Sequence, residues 1–287
     1  MKIFMVAGEA SGDRLGAALI KGLCLNIPEI EFQGVAGPEM QSHGIKSLFD
    51  MSELSVMGVS EILPKYRGLK RRLSQTVVAV LKFKPDVLIT IDSPDFCLRV
   101  AETVRKSDPL VRTVHYVAPT VWAWRPNRAK RMAGFIDHVL ALFPFEPAYI
   151  RAEGMDCDFV GHPIAAVPKV SSEQVSEFQE LIGLDQNRPA LVILPGSRRS
   201  EIQRLLPIFC NTLSQPDFAS MQLIFPTLPH LAALVRDHIQ ILSQDCFVVT
   251  GEGLSANEAA EQRFVAFSAA KAALAASGTV SLELAAV

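Results

Sequence analysis

The chain has 287 residues, of which 49% are hydrophobic and 20% are charged, and its formal net charge is −2. This composition is that of a folded globular protein, and the length suggests two domains because single hydrophobic cores stop growing efficiently near this size. The mean hydropathy of +0.25 is high. No run of the sequence, however, reaches the ~18 apolar residues that a membrane-spanning helix needs. No nucleic-acid partner is expected.

Strand-like apolar runs alternate with helical patterns from the first residues onward. Because the runs are nearly continuous in apolar residues, they predict parallel strands covered by helices on both faces. Leu15, Leu19 and Leu23 place one apolar stripe on the helix after the first run. The predicted strands cover residues 2–7, 87–91, 113–117, 139–142, 190–194, 223–225 and 246–249.

These patterns predict an α/β fold of two doubly wound, Rossmann-like domains that face each other across a cleft. The boundary is placed after residue 165, where Pro163 and Pro168 precede a polar stretch and the alternation then restarts at Ala190. Ligands of open α/β sheets bind at the carboxyl ends of the strands, so we expect the functional site there.

The N-terminus enters a strand pattern at once and lacks the features of a secretion signal. Five cysteines are scattered along the chain and never occur as Cys-x-x-Cys. This pattern favours reduced thiols in a cytoplasmic protein over disulfides or a zinc site.

Basic residues are concentrated in the first half of the chain. Residues 1–150 contain 19 Lys and Arg against 15 Asp and Glu, whereas residues 151–287 contain 9 against 15. The segment 56–72 is apolar and then basic, which suits contact with an anionic membrane surface; the alternative is a solvated helix face. The predicted contact residues are Val59, Ile62, Leu63, Lys65, Arg67, Lys70, Arg71 and Arg72.

Two motifs in the first half bring polar groups to strand ends. Gly8-Glu9-Ala10-Ser11-Gly12-Asp13 follows the first strand, and Asp92-Ser93-Pro94-Asp95 follows the second predicted strand. Glycine there lets the backbone approach a substrate, although Ser11, Asp13 or Asp95 could instead cap a helix. Asp92 at the strand end is our candidate general base. Gly8, Glu9, Ser11, Asp13 and Asp95 are candidate substrate contacts.

Two turns in the second half, at residues 194–201 and 276–283, suit a diphosphate. Residues 194–201 run from a strand through Pro195-Gly196-Ser197-Arg198 into a helix, and Ser200 with Gln203 has the spacing of a capping box. Unpaired N–H groups at a helix start and the Arg198 guanidinium attract anions. An ordinary capped turn without a ligand explains the same pattern equally well. The motif is neither a P-loop nor a dinucleotide fingerprint. The candidate nucleotide contacts are Ser197, Arg198, Ser200, Ser277, Gly278, Thr279 and Glu283.

Both tryptophans, Trp122 and Trp124, lie in the segment 115–125. Two indole rings in one loop need a packing or binding partner, and composition alone slightly favours burial against the neighbouring domain. Because their segments belong to the family resemblance given below, Trp122, Trp124, His115 and His162 are further candidate substrate contacts; either histidine could instead be a hydrogen-bonded core residue. Asp156-Cys157-Asp158 has the spacing of a metal–diphosphate motif, but we place it in a surface turn and regard it as incidental.

The order of these motifs resembles that of lipid-A-disaccharide synthase, a family of inverting UDP-sugar glycosyltransferases with two Rossmann-like domains (GT-B type). The resemblance covers essentially the whole chain. It also suggests that the second domain is incomplete, since family members continue beyond the last motif. The matching blocks lie at 6–13, 35–40, 57–58, 92–96, 115–125, 143–146, 160–163, 194–198 and 276–279.

The resemblance implies transfer of 2,3-diacylglucosamine from its UDP donor to 2,3-diacylglucosamine 1-phosphate, which forms a β-1,6-linked disaccharide and UDP. Asp92 would deprotonate the acceptor hydroxyl and Arg198 would stabilise the departing diphosphate. Residues 1–165 would bind the acceptor and the membrane, and residues 166–287 the UDP-sugar. No metal or other cofactor is expected, because arginine and helix dipoles can carry the leaving charge.

The resemblance further implies a cytoplasmic enzyme, peripheral on the inner face of the inner membrane, and leaves open a homodimer. Two alternatives stand beside this reading. One is a UDP-sugar 2-epimerase of the same architecture, which would need no membrane face. The other is an inactive fragment that binds lipid or nucleotide.

Overall fold

The chain forms two compact units, Met1–Pro163 (unit 1) and Ile164–Val287 (unit 2). The computed structural model describes residues 1–54, 59–121, 127–167, 169–276, 278 and 280–287, and it leaves out the side chains of residues 59–66, 166, 256 and 257. Among the described residues each unit is built on one parallel β-sheet with connecting helices.

In unit 1 the strands pair in the order β2-β1-β3-β4-β5-β6. The order reverses between β1 and β3, which makes the carboxyl ends of these two strands a topological switch point. The elements are β1 (Lys2–Ala7), α1 (Ala10–Asn26), β2 (Glu31–Val35), α2 (Pro38–Ser42), α3 (Val59–Phe83), β3 (Val87–Ile91), α4 (Pro94–Ser107), β4 (Arg112–Tyr116), α5 (Asn127–Met132), β5 (His138–Ala141), α6 (Glu146–Arg151) and β6 (Asp156–Phe159).

The core of unit 1 lies on both faces of the sheet. Phe4 and Met5 in the first strand are fully buried, and they belong to one continuous apolar cluster that covers the unit. Leu15 is buried, and Leu19 and Leu23 pack against the same cluster. The apolar stripe predicted for this helix therefore does face the sheet.

In unit 2 the strands pair in the order β10-β7-β8-β9. The order reverses between β7 and β10, so the switch point of this unit lies where those two strands end. The elements are α7 (Ser172–Ile182), β7 (Ala190–Leu194), α8 (Arg199–Leu213), β8 (Gln222–Pro226), α9 (Ala232–Ile239), β9 (Cys246–Val249), α10 (Ala256–Ser268), β10 (Ala272–Ala275) and α11 (Val280–Ala285).

Three strands, β2, β6 and β10, were not predicted from the sequence. The strand β6 contains Asp156 and Asp158, so the expectation that these acids lie in a surface turn is wrong. Asp158 lies instead beside two side chains of unit 1, since its Oδ2 is 3.0 Å from His138 Nε2 and its Oδ1 is 3.5 Å from the guanidinium of Arg151.

Asp13 organises the start of α2. Its side chain is buried, and its carboxylate oxygens accept hydrogen bonds from the backbone N–H groups of Gly37 at 2.9 Å, Glu39 at 2.9 Å and Met40 at 3.1 Å. These donors would otherwise have no partner at a helix N-terminus. Asp13 therefore has a structural role here, in place of the substrate contact suggested by the sequence.

Removing this carboxylate should destabilise the protein. Asp13→Ala leaves three backbone donors without their acceptor, and we expect the free energy of unfolding to fall by roughly 2–4 kcal/mol in urea denaturation. Asp95→Ala is the matched control, because the Asp95 side chain is 82% exposed and its loss should cost less than about 0.5 kcal/mol. Equal losses for the two variants would contradict the capping role.

Candidate functional site

The candidate site of unit 1 lies at its switch point. Gly8 and Glu9 follow β1, and Asp92 and Ser93 follow β3, so two of the predicted motifs meet although more than 80 residues separate them. Open α/β sheets bind their ligands at such a point.

Asp92 is held in an unusual backbone conformation. Its φ is 52° and that of Ser93 is 44°, which places two consecutive non-glycine residues in the left-handed region. The Asp92 N–H donates to Tyr116 O at 2.9 Å, and its Oδ2 accepts from Ser11 Oγ at 2.9 Å. Such strain persists only where the surroundings enforce it, and it is concentrated at functional sites.

A third strained residue lies beside this pair, directly after β4. Val117 has a φ of 81°, a value that β-branched residues rarely adopt. Its N–H donates to Leu140 O at 2.9 Å. The carboxyl ends of β3 and β4, which are adjacent in the sheet, therefore both carry strained backbone.

The glycine-containing segment after β1 fits closely against Asp92 and Ser93. A Cβ atom at Gly8 would lie 2.5 Å from Ser93 Oγ, so only glycine permits this approach. Ser93 Oγ donates to Glu9 Oε1 at 3.4 Å. The structure thus brings together Gly8, Glu9, Ser11 and Asp92 from the predicted set. Asp95 is separate from them: it is exposed, and its Oδ1 lies 3.5 Å from Arg128.

His115 is a core residue on β4. It is fully buried, and its Nδ1 lies 2.8 Å from Thr90 Oγ1. Burial lowers the pKa of His115 to about 4, and the nearby charge of Arg128 contributes to the decrease. The structure therefore supports the core reading of His115 over the substrate contact. His162 is half-buried in the segment after β6, and Trp122 and Trp124 lie outside the described residues.

In unit 2 the turn after β7 folds around Glu201. Glu201 Oε2 accepts from the N–H groups of Ser197 at 3.0 Å and Arg198 at 3.3 Å, and its Oε1 lies 2.9 Å from Arg198 Nη1. Gly196 has a φ of 129°, and a Cβ atom there would lie 2.6 Å from Glu201 Cβ. The turn thus already binds one carboxylate through its amide groups and its arginine.

The predicted capping box of Ser200 and Gln203 is wrong. The helix α8 begins at Arg199, its N-cap residue is Arg198, and Glu201 occupies the third helical position, where a glutamate reaches back to the N-cap amide. Ser197, Arg198 and Ser200 are all exposed. Sequence reasoning overlooked Glu201, although an acid three residues after a tight turn is a recognisable signal.

Glu283 is also engaged within its own unit. It is buried on α11, and its Oε1 accepts from Arg263 Nη2 of α10 at 3.0 Å. A contact from Glu283 to sugar hydroxyls would have to share the carboxylate with this guanidinium. Gly278 is exposed after β10, and Ser277 and Thr279 lie outside the described residues.

The basic helix α3 presents part of its predicted membrane contact to solvent. Arg67, Lys70 and Arg71 are exposed, and with Ser74 and Gln75 they line a shallow surface groove. Arg72 differs from them: its Nε and Nη2 donate to the carboxylate of Glu53, its Nη1 donates to Gln75 Oε1, and its guanidinium carbon lies 4.5 Å from the centre of the Phe49 ring. Arg72 is therefore engaged in contacts within unit 1, and we leave it out of the proposed membrane contact. The side chains of Val59, Ile62, Leu63 and Lys65 lie outside the described set.

The residues that the structure describes contain no helix that is both long enough and apolar enough to cross a membrane. They also contain no group of three or more His, Cys, Asp or Glu side chains arranged to hold a metal ion.

Comparison with known proteins identifies the family. The profile described as lipid-A-disaccharide synthetase matches residues 3–287. The chain is 51% identical over 288 residues to the lipid-A-disaccharide synthase of Ruegeria pomeroyi, covering 100% of this chain and 71% of that protein. It is 43% identical to the one from Rhodospirillum centenum, covering 99% and 69%. The chain belongs to the lipid-A-disaccharide synthase family.

Solved structures share the fold. The UDP-GlcNAc 2-epimerase from Neisseria meningitidis bound to UDP-GlcNAc matches with a TM-score of 0.62 and 14% identity, over 98% of this chain and 79% of that one. A putative UDP-N-acetylglucosamine 2-epimerase from Listeria monocytogenes matches with a TM-score of 0.65 and 15% identity, over 99% and 76%. At these identities the likeness shows the fold alone.

These findings confirm the predicted α/β fold of GT-B type, the family and the enzyme class. A lipid-A-disaccharide synthase is a glycosyltransferase of lipid A biosynthesis, so this chain is assigned to that role.

The burial of His115 predicts a specific dependence of stability on pH. In the unfolded chain the imidazole takes up a proton below about pH 6.5, whereas the folded protein resists protonation until about pH 4. The free energy of unfolding should therefore fall as the pH decreases between these values, by up to about 3 kcal/mol. His115→Gln should lose this part of the slope in urea denaturation at pH 7 and pH 5. His43→Gln, which removes an exposed histidine, should keep it; identical slopes in all three proteins would refute the assignment.

Proposed function

We propose that this chain transfers 2,3-diacylglucosamine from its UDP donor to 2,3-diacylglucosamine 1-phosphate, and that it forms the β-1,6-linked disaccharide 1-phosphate and UDP. The observation that carries the proposal is the carboxylate of Asp92, which is half-buried and anchored at the carboxyl end of a central strand. The family supports the lipid A role, and the acyl-sugar substrates are the finer part of the proposal.

The proposed reaction is an inverting displacement. The acceptor 6-hydroxyl gives its proton to Asp92 while its oxygen bonds to C1 of the donor sugar. The bond between C1 and the diphosphate oxygen breaks, and its electron pair leaves with UDP. A positioned carboxylate serves as the general base, and the departing diphosphate needs positive charge and N–H donors.

Unit 2 would supply that positive charge. The Arg198 guanidinium and the amides of Ser197 and Arg198 hold the carboxylate of Glu201, and this contact supports the proposal that the turn binds an anion. The structure bound to UDP-GlcNAc among the fold neighbours supports a UDP-sugar as the ligand. Ser200, Ser277, Gly278, Thr279 and Glu283 are the remaining proposed nucleotide contacts. The proposal includes no metal, because arginine and helix amides can neutralise the leaving group.

The epimerase alternative rests on fold likeness alone. The neighbours that carry that name are 14–15% identical to this chain, whereas the named synthases are up to 51% identical. An epimerase would isomerise UDP-GlcNAc without an acceptor, so the two reactions are separable by their products.

Product analysis tests the proposal directly. With the acyl donor and acceptor in mixed micelles, we expect mass spectrometry to detect the disaccharide 1-phosphate together with UDP. Arg198→Ala should lower kcat/KM by roughly a hundredfold. Arg199→Ala, an exposed neighbour on α8, should stay within about threefold of the unmodified protein. Conversion of UDP-GlcNAc without an acceptor would favour the epimerase, and a UDP-induced rise in thermal midpoint without any turnover would favour a binding fragment.

The basic face of α3 is the proposed membrane contact, which would make the enzyme peripheral on the inner face of the inner membrane. The side chains of Arg67, Lys70 and Arg71 lie at positions i, i+3 and i+4 and therefore share one face of the helix. All three are exposed. Each basic residue near an anionic surface contributes about 1 kcal/mol of attraction.

Vesicle sedimentation tests this contact. Replacing Arg67, Lys70 and Arg71 by Ser should weaken binding to phosphatidylglycerol vesicles at low salt by up to about a hundredfold, and added salt should weaken the binding of the unmodified protein. A triple Ser variant at Lys46, Arg99 and Arg112 removes the same charge from other exposed sites of unit 1 and should bind nearly normally. Equal weakening by both variants would show that only net charge matters.

A further inference from the structure

The carboxylate of Asp92 is fixed by a residue from a distant part of the chain. Ser11 lies in the first turn of α1, 81 residues away, and its hydroxyl donates to Asp92 Oδ2 at 2.9 Å. Among the residues that the structure describes, the other oxygen, Oδ1, has no recorded hydrogen bond. One oxygen is thus bound within the fold and the other remains for a ligand.

The hydroxyl of Ser11 has no role in capping its own helix. The N-cap residue of α1 is Glu9, which is in extended backbone and whose own side chain makes no capping hydrogen bond. The bond to Asp92 is part-buried, where a charge-assisted hydrogen bond is stronger than one in water. The bond therefore serves Asp92 rather than the helix.

The backbone on either side of Ser11 also packs closely against Asp92 and Ser93. Gly8 leaves room for Ser93, and a Cβ atom at Gly12 would lie 3.1 Å from Ile91 O and 3.6 Å from Asp92 Cβ. The first turn of α1 is therefore packed directly against the strained residues Asp92 and Ser93. The segment 8–12 holds both the backbone and the side chain of the candidate base.

We infer that Ser11 is a positioning residue for the transfer reaction, in place of the substrate contact suggested by its sequence motif. Its hydroxyl holds the Asp92 carboxylate in one rotamer and directs Oδ1 toward the acceptor hydroxyl. The inference rests on the proposed function, because it assigns Ser11 a role only through the base. A misplaced base slows the chemical step while it leaves donor binding unchanged.

The test compares Ser11→Ala with Ser11→Thr, which keeps a hydroxyl. With donor and acceptor at saturating levels, Ser11→Ala should lower kcat roughly tenfold, while the KM for the UDP donor stays within about twofold. Ser11→Thr should recover most of the lost kcat. Ser107→Ala is the matched control: it removes a serine hydroxyl that donates to Thr103 O at the far end of α4, and kcat should not change. Thermal midpoints of all variants would show that each is folded at the assay temperature.

The outcomes separate the inference from the function on which it rests. If the unmodified protein makes no disaccharide, the proposed function fails and the role of Ser11 fails with it. If the unmodified protein is active and Ser11→Ala has a normal kcat, the positioning role alone is overturned. It is also overturned if Ser11→Thr is as slow as Ser11→Ala, or if the loss appears in the donor KM instead of kcat.

Discussion

Two consecutive non-glycine residues in left-handed backbone, Asp92 and Ser93, are the constraint on which the candidate site of unit 1 depends. Each such residue costs on the order of 1–3 kcal/mol, and the surrounding structure must enforce it. Here the enforcing contacts come from β4 and from the start of α1: the carbonyl of Tyr116, the hydroxyl of Ser11 and the side chain of Glu9. The motifs at residues 8–13 and 92–95, which are far apart in the sequence, thus form one site.

The switch point of unit 1 is marked by strained backbone, whereas that of unit 2 is marked by charged side chains. In unit 2 the turn of Gly196, Ser197 and Arg198 binds the carboxylate of Glu201. In the proposed reaction the chemical demands divide in the same way: unit 1 takes up the proton of the acceptor, and unit 2 balances the charge of the departing diphosphate. The same parallel-strand topology supports both tasks, because it brings the ends of non-consecutive strands together.

Sequence reasoning succeeded for strands whose apolar residues form a nearly continuous run, although it misplaced the local cap of α8. The apolar runs of β1, β3, β4 and β7 predicted buried parallel strands, whereas β2 (Glu-Phe-Gln-Gly-Val) and β10 (Ala-Ala-Leu-Ala) lack such a run. It failed where the answer was a contact between distant residues. Asp13 and Asp92 both lie in motifs near strand ends. Asp13 caps α2, whereas Asp92 lies at the switch point of unit 1. Likewise, nothing local distinguishes Arg72, which pairs with Glu53, from the exposed Arg71 beside it.

The most direct test of the account is the behaviour of Asp92→Asn, which keeps the shape of the side chain and removes its ability to accept a proton. Single-turnover rates and UDP-donor affinity should be measured on the same preparation. If Asp92 is the general base, the rate should fall at least about a hundredfold, with donor affinity within about threefold of the unmodified protein. A nearly normal rate, or a loss confined to donor affinity, would contradict it.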